Sequence, residues 1–131
     1  MKAILFLSIS FSINCFGQTA NDYYQRGKAK VQLGDYRGSI IDFSQALNLN
    51  PKDAKSYYNR GIAKFGLEDS RGSIEDFTKA IDLNSKYDKA YFNRGIAKLK
   101  MGQKDSGCLD LSKAGELGYE GAYEMIKKYC N

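Results

Sequence analysis

Three carboxylates, Asp42, Asp76 and Asp110, stand thirty-four residues apart, and three arginines, Arg26, Arg60 and Arg94, keep the same interval. Two carboxylates held close can divide general acid and base work between them. A catalytic pair, however, has no reason to recur three times in one chain. A structural period explains the recurrence more simply, with the arginines as partners of the carboxylates. Asp42 is expected to reach Arg60 and Asp76 to reach Arg94 across successive units, which leaves Arg26 without an upstream partner. The chain contains no histidine, which excludes a His general base, a Cys–His nucleophile and a His-containing zinc site. No G-x-x-x-x-G-K-[ST] phosphate loop occurs. The expectation is a non-enzyme with no catalytic residue, no metal site and no cofactor.

The thiols are Cys15, Cys108 and Cys130. Two of them fall far apart near the end of the chain, which is neither the C-x-x-C of redox enzymes nor the four ligands of a structural zinc site. Cys15 sits in a different context. Lys2 precedes an apolar run from Ala3 to Ile13, broken only by Ser8, Ser10 and Ser12, and in the following Cys15-Phe16-Gly17 small residues fall at the places a signal peptidase reads. The run is too short for a membrane span and has the form of a secretory signal, cut after Gly17. An uncleaved amphipathic anchor and a lipidated Cys15 are the competing readings. Export to a periplasmic or extracellular space leaves Cys108 and Cys130 as an even pair in an oxidising compartment, where a disulfide is expected. Cys108 lies eleven residues before Tyr119 and Cys130 eleven after it, so an antiparallel return at Gly118–Tyr119 brings them level. The competing reading makes Cys108 only a small buried hydrophobe.

What positions these residues is a repeated phrase. YYQRGKAK (23–30), YYNRGIAK (57–64) and YFNRGIAK (91–98) follow one another at the same interval. RGSIIDFSQALNLN (37–50) returns as RGSIEDFTKAIDLN (71–84) and, worn, as DSGCLDLSKAGELG (105–118). Such a period marks stacked helical pairs, none of which buries its apolar face alone. The punctuation agrees. Asn21 or Asp22 can cap a first helix ending at Gly34; a second runs from Asp35 to Asn50–Pro51; Asp53 opens a third, and Asp69 or Ser70 caps a fourth. A third pair starts near Asp88 and turns at Met101–Gly102. Gly118 breaks its second helix, and a last helix follows from Tyr119 to Lys128. At 131 residues, one domain is expected.

The pattern resembles the tetratricopeptide repeat, whose signature is W-x2-L-G-x2-Y, then A-x3-F, then P. Tyr23, Gly27, Ser39, Phe43 and Pro51 fill its places in the first copy. Tyr57, Gly61, Ser73 and Phe77 do so in the second, and Tyr91, Gly95, Gly107 and Leu111 in the third. The arginines replace its Leu; Lys30, Lys64 and Lys98 replace its Tyr; and the closing Pro is lost from copies two and three. The resemblance spans roughly residues 20 to 122. It implies an all-α superhelix of three helix pairs, about 20–53, 54–87 and 88–118, with a capping helix at 119–129, all within a domain of 18–131 behind a signal of 1–17.

A helical wheel of the second phrase, at 100° per residue, shows two apolar faces. Tyr57, Gly61 and Lys64 share one, expected to meet Ile74, Phe77 and Ile81 of the partner helix, with the Lys64 stem along the seam and its ammonium in water. Tyr58, Ile62 and Phe65 form the other, edged by Lys55 and Asn59. The resemblance implies that this second stripe lines a concave groove. Carried across, the groove holds Asn21, Tyr24, Gln25, Lys28 and Val31, then Lys55, Tyr58, Asn59, Ile62 and Phe65, then Lys89, Phe92, Asn93, Ile96 and Leu99. Some members of the family clamp a peptide's terminal carboxylate with Lys and Asn from three first helices. Asn59 and Lys89 match places of that clamp; Tyr24, Lys28 and Asn93 depart from it, so the clamp is incomplete.

The function this implies is a protein-interaction module that takes a peptide or partner segment, acidic or with a free carboxylate, into the groove. The alternative is a structural adaptor that stacks on other helical repeats, with the stripe consumed by packing between repeats. Twenty basic residues against fifteen acidic ones give a net charge of +5. They are spread through the repeats, an ordinary solubility charge that gives no nucleic-acid surface.

Overall fold

Capping residues, turn residues and the apolar period cut the chain into antiparallel hairpins, and the computed structural model describes residues 18–131. The expected signal and Cys15 lie outside the described residues. In order, the helices are α1 (Ala20–Gln32), α2 (Tyr36–Leu49), α3 (Ala54–Gly66), α4 (Ser70–Leu83), α5 (Asp88–Lys100), α6 (Lys104–Glu116) and α7 (Gly121–Tyr129). The fold is all-α, with α1–α2, α3–α4 and α5–α6 as tightly packed pairs, α2 on α3 and α4 on α5 at the junctions, and α7 capping α6. No helix among the described residues is long and apolar enough to cross a membrane.

The helix starts follow the local chemistry. Asp35, Asp53 and Asp69 accept hydrogen bonds from Gly38 N, Lys55 N and Gly72 N, satisfying amides that the first turn leaves orphaned. The first helix is capped by Thr19, not by Asn21 or Asp22. Asp22 is the third residue of a reciprocal box: Thr19 Oγ1 accepts from Asp22 N, and the Asp22 carboxylate accepts from Thr19 N. Each pair turns through one left-handed residue at the repeat interval, Gly34 (φ 77°), Glu68 (φ 63°) and Gly102 (φ 79°). Glu68 takes this conformation with a Cβ, which glycine would avoid.

Each pair closes on one large side chain. Phe43, Phe77 and Leu111 are wholly buried. The close approach requires glycine opposite: a Cβ on Gly61 would lie 2.7 Å from Phe77 Cε1. In the third pair the smaller Leu111 lets the backbones come nearer still, and a Cβ on Gly95 would lie 2.9 Å from the Gly107 carbonyl oxygen.

The repeated charges also pair within each hairpin, which corrects the expected Asp42–Arg60 and Asp76–Arg94 pairs. Arg60 Nε and Nη2 donate to the two oxygens of Asp76, both at 2.8 Å, and Lys64 Nζ lies 3.0 Å from Asp76 Oδ2. Arg94 and Lys98 hold Asp110 in the same way, and Arg26 and Lys30 hold Asp42. The Lys64 ammonium is thus an ion-pair partner rather than a solvated group. The reason is spacing: Arg60 and Lys64 lie one turn apart on the face turned to α4, so two cations converge on one buried carboxylate. The arginines do cross the junction, but to a hydroxyl. Arg60 Nη1 donates to Ser44 Oγ and Arg94 Nη1 to Thr78 Oγ1, both at 3.1 Å. Arg26 pairs with Asp42 of its own hairpin and, as expected, meets no upstream partner among the described residues.

At the far end, Cys108 in α6 and Cys130 just after α7 are joined as a disulfide, with their Cα atoms 5.8 Å apart.

Candidate functional site

The stripe at positions 24, 58 and 92 runs down the first helices of the three pairs and is half-buried throughout. Tyr58 packs against Phe77 and against Tyr87, with ring centroids 5.8 and 5.0 Å away; Phe92 stacks on Tyr119 at 4.4 Å; and Tyr24 approaches Phe43 at 6.0 Å. Amides link successive repeats. Asn59 Nδ2 donates to the Tyr24 hydroxyl (3.3 Å) and to the Lys55 carbonyl (2.8 Å), and Asn93 Nδ2 to the Tyr58 hydroxyl (3.0 Å) and the Lys89 carbonyl (2.9 Å). Both amide nitrogens are committed to this ladder, so they do not offer hydrogens to a carboxylate. Phe92 is likewise half of a packing contact.

Around the tyrosines the structure forms a recess of about 580 Å³. Lys28, Lys55 and Lys89 stand on its wall although they come from three different helices, and Tyr24, Tyr58 and Tyr87 form its apolar surface. Lys55 and Lys89 occupy the same repeat position, and Lys28 joins them from two turns further along α1, its ammonium 5.5 Å from the centre of the Tyr24 ring. Asp53 and Asp88 share the wall, so three cations face two carboxylates. Those carboxylates are occupied with helix starts: Asp53 accepts from Lys55 N and Ser56 Oγ, and Asp88 from Lys89 N. With three ammonium groups against two carboxylates, the lining keeps one net positive formal charge. Burial, above all, pushes the Tyr58 hydroxyl up to about 12, aided by Tyr119 and Asp88 against the opposing Asn93 bond. Burial likewise raises Tyr87 well above its ordinary value, and Tyr24 more modestly. All three stay neutral in the physiological range.

Ile62, Phe65, Ile96 and Leu99 continue the half-buried stripe towards the helix ends. Ile96 and Leu99 line a second, mostly apolar recess of about 380 Å³ with Lys100, Lys104, Met125 and Tyr129. Lys100 lies 5.2 Å above the Phe65 ring. The exposed Asn21 and Gln25 border a smaller hollow beside Tyr24. Sequence reasoning missed Asp53 and Tyr87, which stand just before α3 and α5, Asp88, which opens α5, and Met125 and Tyr129, which enter from the capping helix. The one signal was an aromatic residue just before a helix, Tyr87 and again Tyr119.

Comparison with known proteins bears on this geometry. Residues 27–67 match the family model described as TPR repeat, and residues 54–87 match the one described as tetratricopeptide repeat. The chain is a small all-α protein built of tetratricopeptide repeats. No significant match arises among curated proteins. Among solved structures, the first TPR of Spaghetti (RPAP3) bound to the HSP90 peptide SRMEEVD superposes with a TM-score of 0.83 at 24% identity, over 86% of this chain and 91% of that one. The second TPR domain of human RPAP3, in complex with the HSP70 peptide SGPTIEEVD, gives 0.81 at 24% identity, over 86% and 95%. The TPR2B domain of yeast Sti1, in a complex with pHsp70, gives 0.78 at 22% identity, over 85% and 93%. These likenesses establish the fold.

Proposed function

We propose that the protein is an interaction module that takes an acidic segment of a partner protein into its concave groove. The observation that carries this is the convergence of Lys28, Lys55 and Lys89 on one tyrosine-floored recess. Two structurally similar domains are in complex with the peptides SRMEEVD and SGPTIEEVD, each of which carries two Glu and a last Asp, and a third is in complex with pHsp70. The groove amides serve the Tyr–Asn ladder, so the lysines rather than Asn59 and Asn93 carry the recognition of charge. The apolar stripe supplies most of the affinity, at about 25 cal/mol per Å² buried, less the cost of ordering the peptide. A groove of three repeats is short, and a dissociation constant on the order of micromolar is expected.

The experiment is fluorescence anisotropy of labelled SRMEEVD and of a basic counterpart, at low and moderate salt. The acidic peptide should bind more tightly, with a modest salt dependence. Lys55→Glu with Lys89→Glu should reverse the preference without altering the helical signal. Equal binding of both peptides, or an unchanged preference in the double variant, would end the reading. The rival reading, stacking on other helical repeats, draws on the observation that Tyr58 and Phe92 already pack between repeats. It predicts no peptide binding and a tendency to associate end to end.

Export belongs to the same proposal. The apolar run before Gly17 supports it, and so does the pairing of the two remaining cysteines in a bond that oxidising compartments sustain. Mass spectrometry of the native protein should find an N-terminus near Gln18; an intact Met1 would contradict cleavage.

A further inference from the structure

The apolar recess beyond the lysines has an unusual wall. Ile96 and Leu99 come from α5, which two neighbouring helices clamp, but Met125 and Tyr129 come from α7, the last helix. Nine residues make two and a half turns, too few to stay helical unaided. The start of α7 is anchored: Ala122 is wholly buried, and Tyr119 just before it stacks on Phe92. Its end is anchored more weakly, by the half-buried Met125 and Ile126. Tyr129 is exposed, and Lys127 and Lys128 point to solvent. The covalent link from Cys108 to Cys130 reinforces these contacts and ties that end to α6.

We propose that this disulfide regulates the groove: it holds the α7 wall of a subsite for a bulky aliphatic or aromatic ligand side chain, and breaking it removes that subsite. The inference rests on the groove reading above. The occupant is the upstream part of the same acidic segment. Lys100 and Lys104 flank the recess, so a ligand whose apolar side chain has acidic neighbours complements it. Lys89 and Leu99 are ten residues apart on α5, roughly 15 Å along the axis. An extended peptide covers that length in about four or five residues. In SRMEEVD, Met stands four positions before the terminal Asp, which makes this peptide a suitable probe.

The link is open to exchange. Cys108 and Cys130 are only half-buried, and a shallow hollow bordered by Lys104, Asp105, Ser112 and Asn131 reaches them. A dithiol reductant attacks one sulfur as thiolate, forms a mixed disulfide, and is released as its own cyclic disulfide. Two electrons and two protons pass to the protein, leaving two thiols. The C-terminal turn of α7 then frays, and Met125 and Tyr129 leave the recess. The lysine recess, made by α1, α3, α5 and their connections, keeps its form.

The test measures binding of two peptides, SRMEEVD and SRSEEVD, to the oxidised protein, to the dithiol-reduced protein, to Cys108→Ser with Cys130→Ser, and to Met125→Ser. Oxidised protein should favour the Met peptide by roughly ten-fold, the worth of one buried apolar side chain. Reduction, the double serine variant and Met125→Ser should each bring that ratio close to one, while SRSEEVD binds all four forms alike. Met125→Ser keeps the disulfide, and circular dichroism of each form checks that the repeats stay folded. Equal binding of the two peptides by oxidised protein would overturn the subsite but leave the lysine reading intact. A preference that survives reduction and the double variant would overturn the role of the disulfide. Failure of both peptides to bind oxidised protein would sink the groove reading together with this one.

Discussion

The first and second repeats carry nearly the same words but not the same surroundings. Arg26 and Arg60 each reach the carboxylate sixteen residues on, yet the Arg26 side chain is 47% exposed and that of Arg60 only 20%. The difference is the neighbour upstream. Arg60 lies over α2 and donates to Ser44, whereas Arg26 faces no earlier helix among the described residues. One sequence motif therefore makes an outer ion pair in one place and a sealed junction in another. The lesson is that stability in this stack resides in interfaces between repeats as much as in the repeats themselves.

The sharpest way to break the comparison is to remove the carboxylates one at a time. Asp76→Ala leaves Arg60 and Lys64 partly buried without a counter-charge and should cost about 3 kcal/mol. Asp42→Ala leaves the more exposed Arg26 and should cost about half as much. Urea unfolding of both variants checks the order, and equal losses would refute the importance of the junction.

The turns offer a gentler probe. Gly34, Glu68 and Gly102 share one left-handed conformation, and only Glu68 has a side chain there. Glu68→Gly should stabilise the middle repeat by about 0.5 kcal/mol, the relief of strain exceeding the added freedom of the unfolded chain. The same urea titration reads it. A loss would mean that the Glu68 side chain makes up for its backbone.

Smallest is the effect of acid on the outer pair. Burial by itself would raise the Asp42 carboxyl, but the hydrogen bonds from Arg26 and Lys30, with their charges, outweigh it and hold the carboxyl below the usual carboxylate range. A carboxyl depressed in the folded state contributes its full stability above the unfolded value of about 3.9. It loses that contribution as pH falls through the folded value. Stability of Asp42→Asn should therefore approach that of the parent below about pH 4 and fall behind it above. Parallel curves across that range would contradict this.

Much of this architecture is legible in the sequence because the repeat interval places every helix, and because Asp35, Asp53 and Asp69 announce their helices as caps. The ion-pair partners are not. Asp42 is eighteen residues from Arg60 and sixteen from Arg26, both near-symmetric about a turn, and linear spacing does not choose between them. The choice comes from the helix face: Arg60 and Lys64 both turn to Asp76 of their own hairpin, and across the junction Arg60 meets the Ser44 hydroxyl. The groove lysines are legible by position, but their convergence is not, since Lys28 is out of phase with Lys55 and Lys89. The apolar recess is hidden for a related reason: the capping helix has slipped the period, with Tyr119 thirty-two residues after Tyr87 rather than thirty-four. Asn59 and Asn93 are read from resemblance as ligand-binding amides; in the folded chain their donors hold neighbouring tyrosines.

The central claim is that the concave face, not the convex side or an end of the stack, receives the partner. The most direct measurement is a ¹H–¹⁵N spectrum of labelled protein titrated with SRMEEVD. The account predicts shifts concentrated at Lys28, Lys55, Tyr58, Lys89 and Ile96, with the outer residues Ile41, Glu75 and Leu109 unmoved. Shifts centred on those outer residues, or confined to the exposed end of α1, would contradict it.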